Sequence, residues 1–484
     1  MPFAIENAPM RIGYHGSEQR ARWLGGLLLL WTVSAAPCAA VAESSAPPEI
    51  LSEILLGHAS SASPVGFALL TERGHQFVAF YDAERRITVA GRKLDGTNWS
   101  FFHPAGVFLP NRQRNSNVTD WDAHNYLTLA LDRDGYLHLS GNLHADPLIY
   151  YRSSRPFDVT SLERLDRMTG DMEDRTTYPV FFQNAEGELL FRYRNGGSGN
   201  GSDIYNIYDP KARTWRHLNA TPVLDGEGQR NAYASAPRLG PDGFFHLVWV
   251  WRETPDCSSN HRLSYARTQD FIHWENSRGV KCALPITLKN GEVIDDAKEK
   301  EGLINTSFDF GFDAKRRPVV VYHRYDKRGN SQIYAARPSR FGGWKTSQIS
   351  DWKFRWDFSG SGSLPAGIWL GAPRLQADGS FVVDYAMPFG PGPGRLKFSA
   401  RTLWPLGNLP PATGLWPAAL SQPLSKYPGM QVRTAVSSDQ GRTWVLRWES
   451  LPANRDCPGP EFPPASELRL YEVSDHRKRR SFHR

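Results

Sequence analysis

Residues Asp122–Arg152 read DAHNYLTLALDRDGYLHLSGNLHADPLIYYR, and this stretch decides the fold. Two apolar runs, Tyr126–Leu131 and Tyr136–Leu139, flank the turn Asp132-Arg133-Asp134-Gly135. An Asp-Gly turn between alternating runs predicts a β-hairpin. Each end of the hairpin carries a histidine in a polar setting, His124 before the first strand and His144 after the second. Antiparallel pairing returns both to one edge of the sheet. Two imidazoles at one rim point to a site rather than a core.

The same pattern recurs outward from this hairpin. The turns Glu186-Gly187, Asp242-Gly243 and Asp378-Gly379 each precede a strand rich in Val, Leu, Phe and Tyr, and Asp82 and Asp313 occupy similar places without the glycine. Tryptophans Trp99, Trp215, Trp274, Trp344 and Trp444 close a second recurring element. Self-similarity at a coarse period marks a repeat architecture. The clearest copy is Ser437-Ser-Asp439-Gln-Gly441-Arg-Thr443-Trp444, which matches the Asp-box of sialidase-like propellers, and Thr268–Trp274 is a shortened relative. An Asp-box is structural: Asp and Gly shape a turn and Trp packs between blades.

Composition agrees. Gly 42, Pro 35 and 12% aromatic residues imply many turns and many flat side chains, and no helical periodicity runs beyond three turns. Many short strands with regular turns indicate an all-β fold. At roughly 60 residues per four-stranded blade the chain holds about seven blades, so a seven-bladed β-propeller is expected over residues 65–473. A six-bladed propeller with insertions at Trp352–Gly367 and Phe389–Gly394 is the alternative.

The ends are expected to differ from this body. Basic residues Arg11, Arg20 and Arg22 precede the apolar run Leu24–Val33, and Ala40-Val41-Ala42 is a plausible cleavage site. Residues 1–42 therefore predict a signal peptide and a secreted or periplasmic protein. Residues 43–64 form a Ser/Ala/Pro-rich leader, and residues 474–484 a basic tail. The net charge of +7 suits a polyanionic partner. With no recognition motif and an export signal, nucleic acid is not expected, nor is a membrane once the signal is removed. Oligomeric state is not legible.

A propeller binds ligands where strand ends of several blades converge, so site residues should be scattered, one or two per blade. After His124 and His144, the next hairpin carries Tyr178 at its start and Arg194 at its end, before the glycine-rich loop Gly196–Gly201. A third copy offers Tyr233 ahead of the strand Phe244–Trp251, which ends at Arg252. His138 and His246, inside apolar strands, read as core or interblade residues. The rim set lacks the carboxylate pair of ordinary glycoside hydrolysis and any Ser nucleophile motif. It does suit β-elimination from a uronic acid: Arg neutralises the carboxylate next to the C5 proton, while His and Tyr serve as base and acid. Each residue alone also fits a structural role, and only the repeated placement raises the functional reading. No organic cofactor is needed.

The cysteines pose a separate question. Cys38 falls in the signal, leaving Cys257, Cys282 and Cys457. Cys257, His261, His273 and Cys282 supply two sulfurs and two imidazoles, a tetrahedral zinc set; a Cys257–Cys282 disulfide in an exported protein is the alternative.

The stretch His124-Asn-Tyr…His144-Ala-Asp-Pro-Leu-Ile-Tyr-Tyr-Arg, the segment Thr177-Tyr178-Pro…Arg194-Asn-Gly-Gly-Ser-Gly-Asn-Gly, and Trp249-Val-Trp-Arg…Cys257-Ser-Ser-Asn-His261 together resemble the ulvan lyases of polysaccharide lyase family 25. The likeness covers about residues 65 to 340 and fades towards the C-terminus. It implies a seven-bladed propeller that cleaves at uronic acids of a rhamnose/glucuronate polymer by β-elimination. It also implies that His124 and Tyr178 exchange protons with C5 and the leaving oxygen, that Arg194 and His144 hold the carboxylate, and that Tyr233 lines the subsite. A structural zinc near Cys257 is implied as well. A propeller glycoside hydrolase, rhamnosidase- or sialidase-like, and a non-catalytic carbohydrate-binding propeller are the competing readings.

Overall fold

The computed structural model of the chain describes residues 48–412 and 416–474. The expected signal peptide and all but one residue of the basic tail lie outside these residues. Among the described residues the only α-helix is the single turn Ala418–Ser421, and no helix is long and apolar enough to cross a membrane.

Seven sheets of four or more strands follow one another along the chain, with one two-stranded ribbon between the first and second. All are antiparallel, and within most of them neighbouring strands follow one another along the chain, since antiparallel neighbours need only short connections. Each of these seven sheets is numbered below as a blade, in chain order. Blade 1 comprises Ala68–Glu72, His75–Tyr81, Ile87–Lys93 and Ser100–Phe102. Blade 2 comprises Leu127–Leu131, Leu137–Gly141, Tyr150–Ser153 and Leu162–Leu165. Blade 3 is built on Thr176–Gln183, Leu189–Gly197, Asn200–Asp209 and Thr214–His217. Blade 4 is built on Asn231–Ala234, Phe245–Arg252 and Asn260–Thr268. Blades 5 and 6 run from Phe308–Phe312 and from Trp369–Leu370 respectively.

Blade 7 joins the two ends of the described chain. Its strands Gln431–Asp439, Arg442–Ser450 and Ser466–Val473 are completed on the outside by Ile50–Ala59, which pairs with Ser466–Val473. Ile50–Ala59 falls inside residues 43–64, expected to be a leader, and corrects that boundary: its ladder with Ser466–Val473 makes it part of the propeller, where it covers what would be an exposed edge. The first strands of blades 7, 1, 2 and 3 lie side by side, so their starts share one rim.

The recurring residues hold the blades together. His138 is fully buried, and its ring nitrogens meet Tyr150 Oη at 2.8 Å and Asp132 Oδ2 at 3.5 Å. His246 repeats this with Tyr265 at 2.6 Å and Asp242 at 2.9 Å. Both are core histidines, as expected. Trp215, Trp274 and Trp444 are buried. Asp313 lies between the first and second strands of its blade like Asp134 and Asp242, but Asp82 lies one strand later, between His75–Tyr81 and Ile87–Lys93. The Asp-box Ser437–Trp444 forms the first turn of blade 7.

The stretch Trp352–Gly367 is a connection without helix or strand between blades 5 and 6. Its tip reaches two other loops. Gly360 N donates to Asp256 Oδ1 at 2.7 Å, and Ser363 N donates to Asp456 Oδ2 at 2.9 Å.

Candidate active site

The site begins where the first strands of blades 2 to 4 begin. Asp122 lies just ahead of Leu127–Leu131, and its two carboxylate oxygens divide between two rings: Oδ1 meets His124 Nδ1 at 2.8 Å and Oδ2 meets His144 Nδ1 at 2.6 Å. Oδ1 also accepts from His124 N at 2.9 Å. A carboxylate accepts only, so both Nδ1 atoms carry hydrogen and each neutral ring has its lone pair on Nε2. Neither Nε2 has a protein partner among the described residues. The rings stack with centroids 3.9 Å apart.

His144 reaches this position because the chain leaves blade 2 after Gly141. The short strand His144–Asp146 pairs with Thr176 and Thr177 of blade 3 rather than with blade 2. Gly141 permits the departure: it sits at φ 149°, and a Cβ there would meet Tyr126 O at 2.3 Å. Arg112, from the ribbon between blades 1 and 2, secures the segment, donating to Asp146 Oδ1 at 2.7 Å and to the His144 carbonyl.

Tyr178 stands on a bulge. The register between Thr176–Gln183 and Leu189–Gly197 slips between Thr177 and Val180, and Tyr178 adopts φ 58° immediately before Pro179. That backbone is unfavourable for a non-glycine residue, and bulges of this kind re-aim side chains at functional sites. The phenol lies 5.5 Å from the His124 ring, centroid to centroid, and 6.1 Å from Tyr233.

Arg194 pairs with Thr177 across the hairpin. Only 2% exposed, it donates to Thr177 Oγ1 at 2.9 Å and Tyr233 Oη at 3.4 Å, and its guanidinium carbon lies 5.0 Å from the Tyr178 ring centroid. Tyr233 Oη also shares a 2.6 Å hydrogen bond with Ser198 Oγ of the glycine-rich loop. The structure thus places His124, His144, Tyr178, Arg194 and Tyr233 in one cluster.

The electrostatics are uneven. Burial alone would raise the pKa of Asp122, but hydrogen bonds from His124 and His144 outweigh it and hold the carboxyl far below its usual range. Burial lowers His124, against the opposing pull of Asp122, so its ring favours the neutral form. Burial, reinforced by Tyr233, pushes Tyr178 up. Tyr233 goes the other way: burial would raise it, but Arg252 and Arg194 bring it below its usual value.

One residue of the site gave no sequence signal. Asp456, from the loop after Arg442–Ser450, accepts from Ala123 N at 3.1 Å and lies 3.5 Å from His124 Nδ1. The rim thus does contain a pair of carboxylates, Asp122 and Asp456, where no pair was expected, but both lie on the Nδ1 side of His124. Donor atoms of Asp122, His124, His144 and Asp456 all fall within 4.8 Å of one another, and this group has the donor types that a metal ion takes.

The expected zinc set is not assembled. His261 opens the strand Asn260–Thr268, whereas His273 and Cys282 lie beyond its far end, where Thr268 pairs with Trp274 and Trp274 with Cys282. Seven residues of extended chain separate the two ends by roughly 23 Å. His261 instead meets Glu253 Oε1 at 2.6 Å and His273 meets Asp270 Oδ2 at 2.7 Å. The alternative disulfide is absent too: Cys257, Cys282 and Cys457 are free thiols.

A β-propeller whose rim gathers two histidines on one carboxylate, two tyrosines and a buried arginine is thus the class that fold and site define. The chain belongs to the BNR repeat-containing family, which it matches over residues 75–352. It is 45% identical over 168 residues to the long isoform of ulvan lyase from Glaciecola sp. (strain KUL10), covering 30% of this chain and 16% of that one. It is 37% identical over 71 residues to the short isoform from Alteromonas sp. (strain LOR), covering 14% of this chain and 13% of the relative. The chain thus matches only a small part of the length of these relatives. Among solved structures, polysaccharide lyase Uly1 superposes with a TM-score of 0.56 at 13% identity, covering 88% of this chain and 99% of that one. A PL25 ulvan lyase bound to -[GlcA(1-4)Rha3S]- gives 0.55 at 13% identity, covering 87% and 96%. These two likenesses establish the propeller fold.

Proposed function

We propose that the protein is a polysaccharide lyase that cleaves an acidic, uronate-containing glycan of the ulvan type by β-elimination. The carrying observation is the Asp122 carboxylate shared by His124 and His144 beside Tyr178 and Arg194. The stretches identical to ulvan lyases, and a neighbour of the same fold that binds a glucuronate–rhamnose 3-sulfate repeat, support this choice of substrate.

In the reaction the C5–H bond breaks, its electron pair forms the C4–C5 double bond, and the C4–O bond to the leaving sugar breaks. The C5 proton passes to the base, and the leaving oxygen takes a proton from the acid. Arg194 balances the substrate carboxylate, which otherwise opposes carbanion character at C5. His144 assists when protonated, donating from Nε2 while Asp122 balances its charge at Nδ1. His124 and Tyr178 are the proton carriers. They exchange roles with the C5 configuration, since epimers place that hydrogen on opposite faces of the ring. Asp122 and Asp456 hold His124 rather than flank a glycosidic bond, which disfavours the glycosidase alternative. No step is routed through a metal: an ion on the Nδ1 atoms would displace the protons that orient both rings. Action outside the cytoplasm, secreted or periplasmic, is part of this proposal and rests on residues 1–42.

Incubation with ulvan-type polymers should release products bearing a 4,5-unsaturated uronate, read as new ultraviolet absorbance. Saturated reducing sugars would identify a hydrolase, and binding without products a carbohydrate-binding propeller.

A further inference from the structure

Buried guanidinium groups are ordinarily paired with a carboxylate, and several around this rim are. Arg192 meets Asp203 at 2.6 Å, and Arg324, at the equivalent strand end of blade 5, meets Asp295 at 2.8 Å. Arg252, at the end of Phe245–Arg252 in blade 4, has no such partner among the described residues, although it is only 8% exposed. Its Nε donates to Asn260 Oδ1 at 2.9 Å, and its Nη2 to Asn305 Oδ1 at 2.6 Å at the entry to blade 5. Both acceptors are neutral. Nη1 has no protein partner among the described residues. The Asp256 carboxylate lies near enough to be lowered by Arg252, but it is committed to the amides of Ser258 and Gly360 at 2.8 and 2.7 Å.

Arg252 also has a fixed relation to the reacting end of the site. Its guanidinium carbon lies 4.0 Å from the Tyr233 ring centroid, and that of Arg194 lies 5.8 Å from the same centroid. The two cations therefore flank one tyrosine, separated by no more than those two distances together. Asn231, opposite Arg252 across the hairpin, is 1% exposed and has no protein partner for either amide atom. The surroundings of both cations are thus polar but carry no compensating negative charge within ion-pair distance. Two amide acceptors hold the Arg252 fork in one orientation with one N–H edge left over, an arrangement preorganised for an incoming oxyanion.

We propose that Arg252, oriented by Asn260 and Asn305, is a second anion subsite that binds an acidic substituent of the glycan next to the uronate held by Arg194. This rests on the lyase reading and adds a requirement to it: the substrate carries a second negative charge within two sugar rings of the cleaved bond. A sulfate ester and a second uronate carboxylate present the same oxyanion chemistry to one N–H edge.

The test compares wild type, Arg252→Gln and Arg252→Lys on a sulfated uronate polysaccharide and on its chemically desulfated form. Calorimetric affinity, KM, kcat and thermal midpoint are measured for each. Losing one charge-assisted hydrogen bond should weaken binding and raise KM roughly tenfold or more in Arg252→Gln, with kcat falling less than about threefold and Arg252→Lys intermediate. If desulfation removes the difference between wild type and Arg252→Gln, the anion is the sulfate; if the difference survives desulfation, it is the second carboxylate. Equal affinity and KM in wild type and Arg252→Gln overturn the subsite. So does a fall in kcat with affinity kept. Should Arg252→Gln fail to fold, Arg252→Lys decides: affinity and KM equal to wild type on both polymers overturn the subsite. Polymer bound by wild type without unsaturated product would sink the lyase reading, while the affinity comparison would still decide Arg252.

Discussion

His124 comes from the loop before blade 2 and Asp456 from a loop within blade 7, and their side chains approach to 3.5 Å at His124 Nδ1. The same carboxylate accepts from Ala123 N and Ser363 N, so one residue ties the loop before blade 2 to the connection between blades 5 and 6. Its charge also favours the protonated form of His124. Asp456→Asn should lower kcat about tenfold and leave KM near wild type. Removing the charge lowers the basicity of His124, so the acid limb of the kcat/KM profile should move to lower pH. An unchanged profile at full activity would show that Asp456 only ties loops together.

Tyr178→Phe removes the phenolic proton and keeps the ring that packs against Arg194 and Tyr233. Product formation should fall by roughly 10²–10⁴-fold, with polymer affinity retained. His124→Ala should act similarly. Activity within a few-fold of wild type in either variant would remove that residue from proton transfer.

Asp122→Asn should be as damaging, although Asp122 is not placed against substrate. The amide oxygen can accept from one Nδ1–H only, and its NH2 would force the other ring to reverse its tautomer. A loss of a hundredfold or more is expected, with the thermal midpoint showing whether the fold is kept. In ring-nitrogen NMR spectra the two histidines should lose their common Nδ1–H tautomer.

His323 governs acid stability away from the site. It is fully buried; burial depresses its pKa to about 4, Nδ1 donates to Gly302 O at 2.6 Å, and Nε2 has no partner. The unfolded chain takes up this proton near pH 6.5 and the native chain only near 4. Stability should therefore fall as pH drops through that window, by about 3 kcal/mol in total. Denaturant titrations of His323→Gln between pH 7 and 4 should show a correspondingly shallower decline; parallel curves would refute this.

Metal removal should leave the protein intact. Because His261 pairs with Glu253 and His273 with Asp270 at separate ends of one strand, dialysis against a chelator should change neither the thermal midpoint nor the rate. Added zinc should instead inhibit, by taking the Nδ1 positions that His124 and His144 offer Asp122. Loss of the thermal midpoint on chelation would restore a structural metal.

The blades were legible because strands alternate and turns repeat, and these are local properties of the chain. His124, Tyr178, Arg194 and Tyr233 were legible for the same reason: each occupies a strand end at a recurring position, and a propeller brings such ends to one rim. His144 belongs to the rim for a different reason, its departure from blade 2 to pair with Thr177. Cys257, His261, His273 and Cys282 do not form one ligand set because nearness in sequence is not nearness in space: the extended strand Asn260–Thr268 holds His261 apart from His273 and Cys282.

The sequence alone determined the all-β repeat and the cast of the hairpin Asp122–Arg152. Only the tertiary structure decided how that cast is wired. Asp122 joins two histidines from different segments, Asp456 arrives from a loop with no motif, and Arg252 stands out only beside the carboxylates its counterparts possess. Each depends on how loops from separate blades meet. Strand pattern and turn chemistry set the blades, whereas closing the ring sets which loop faces which.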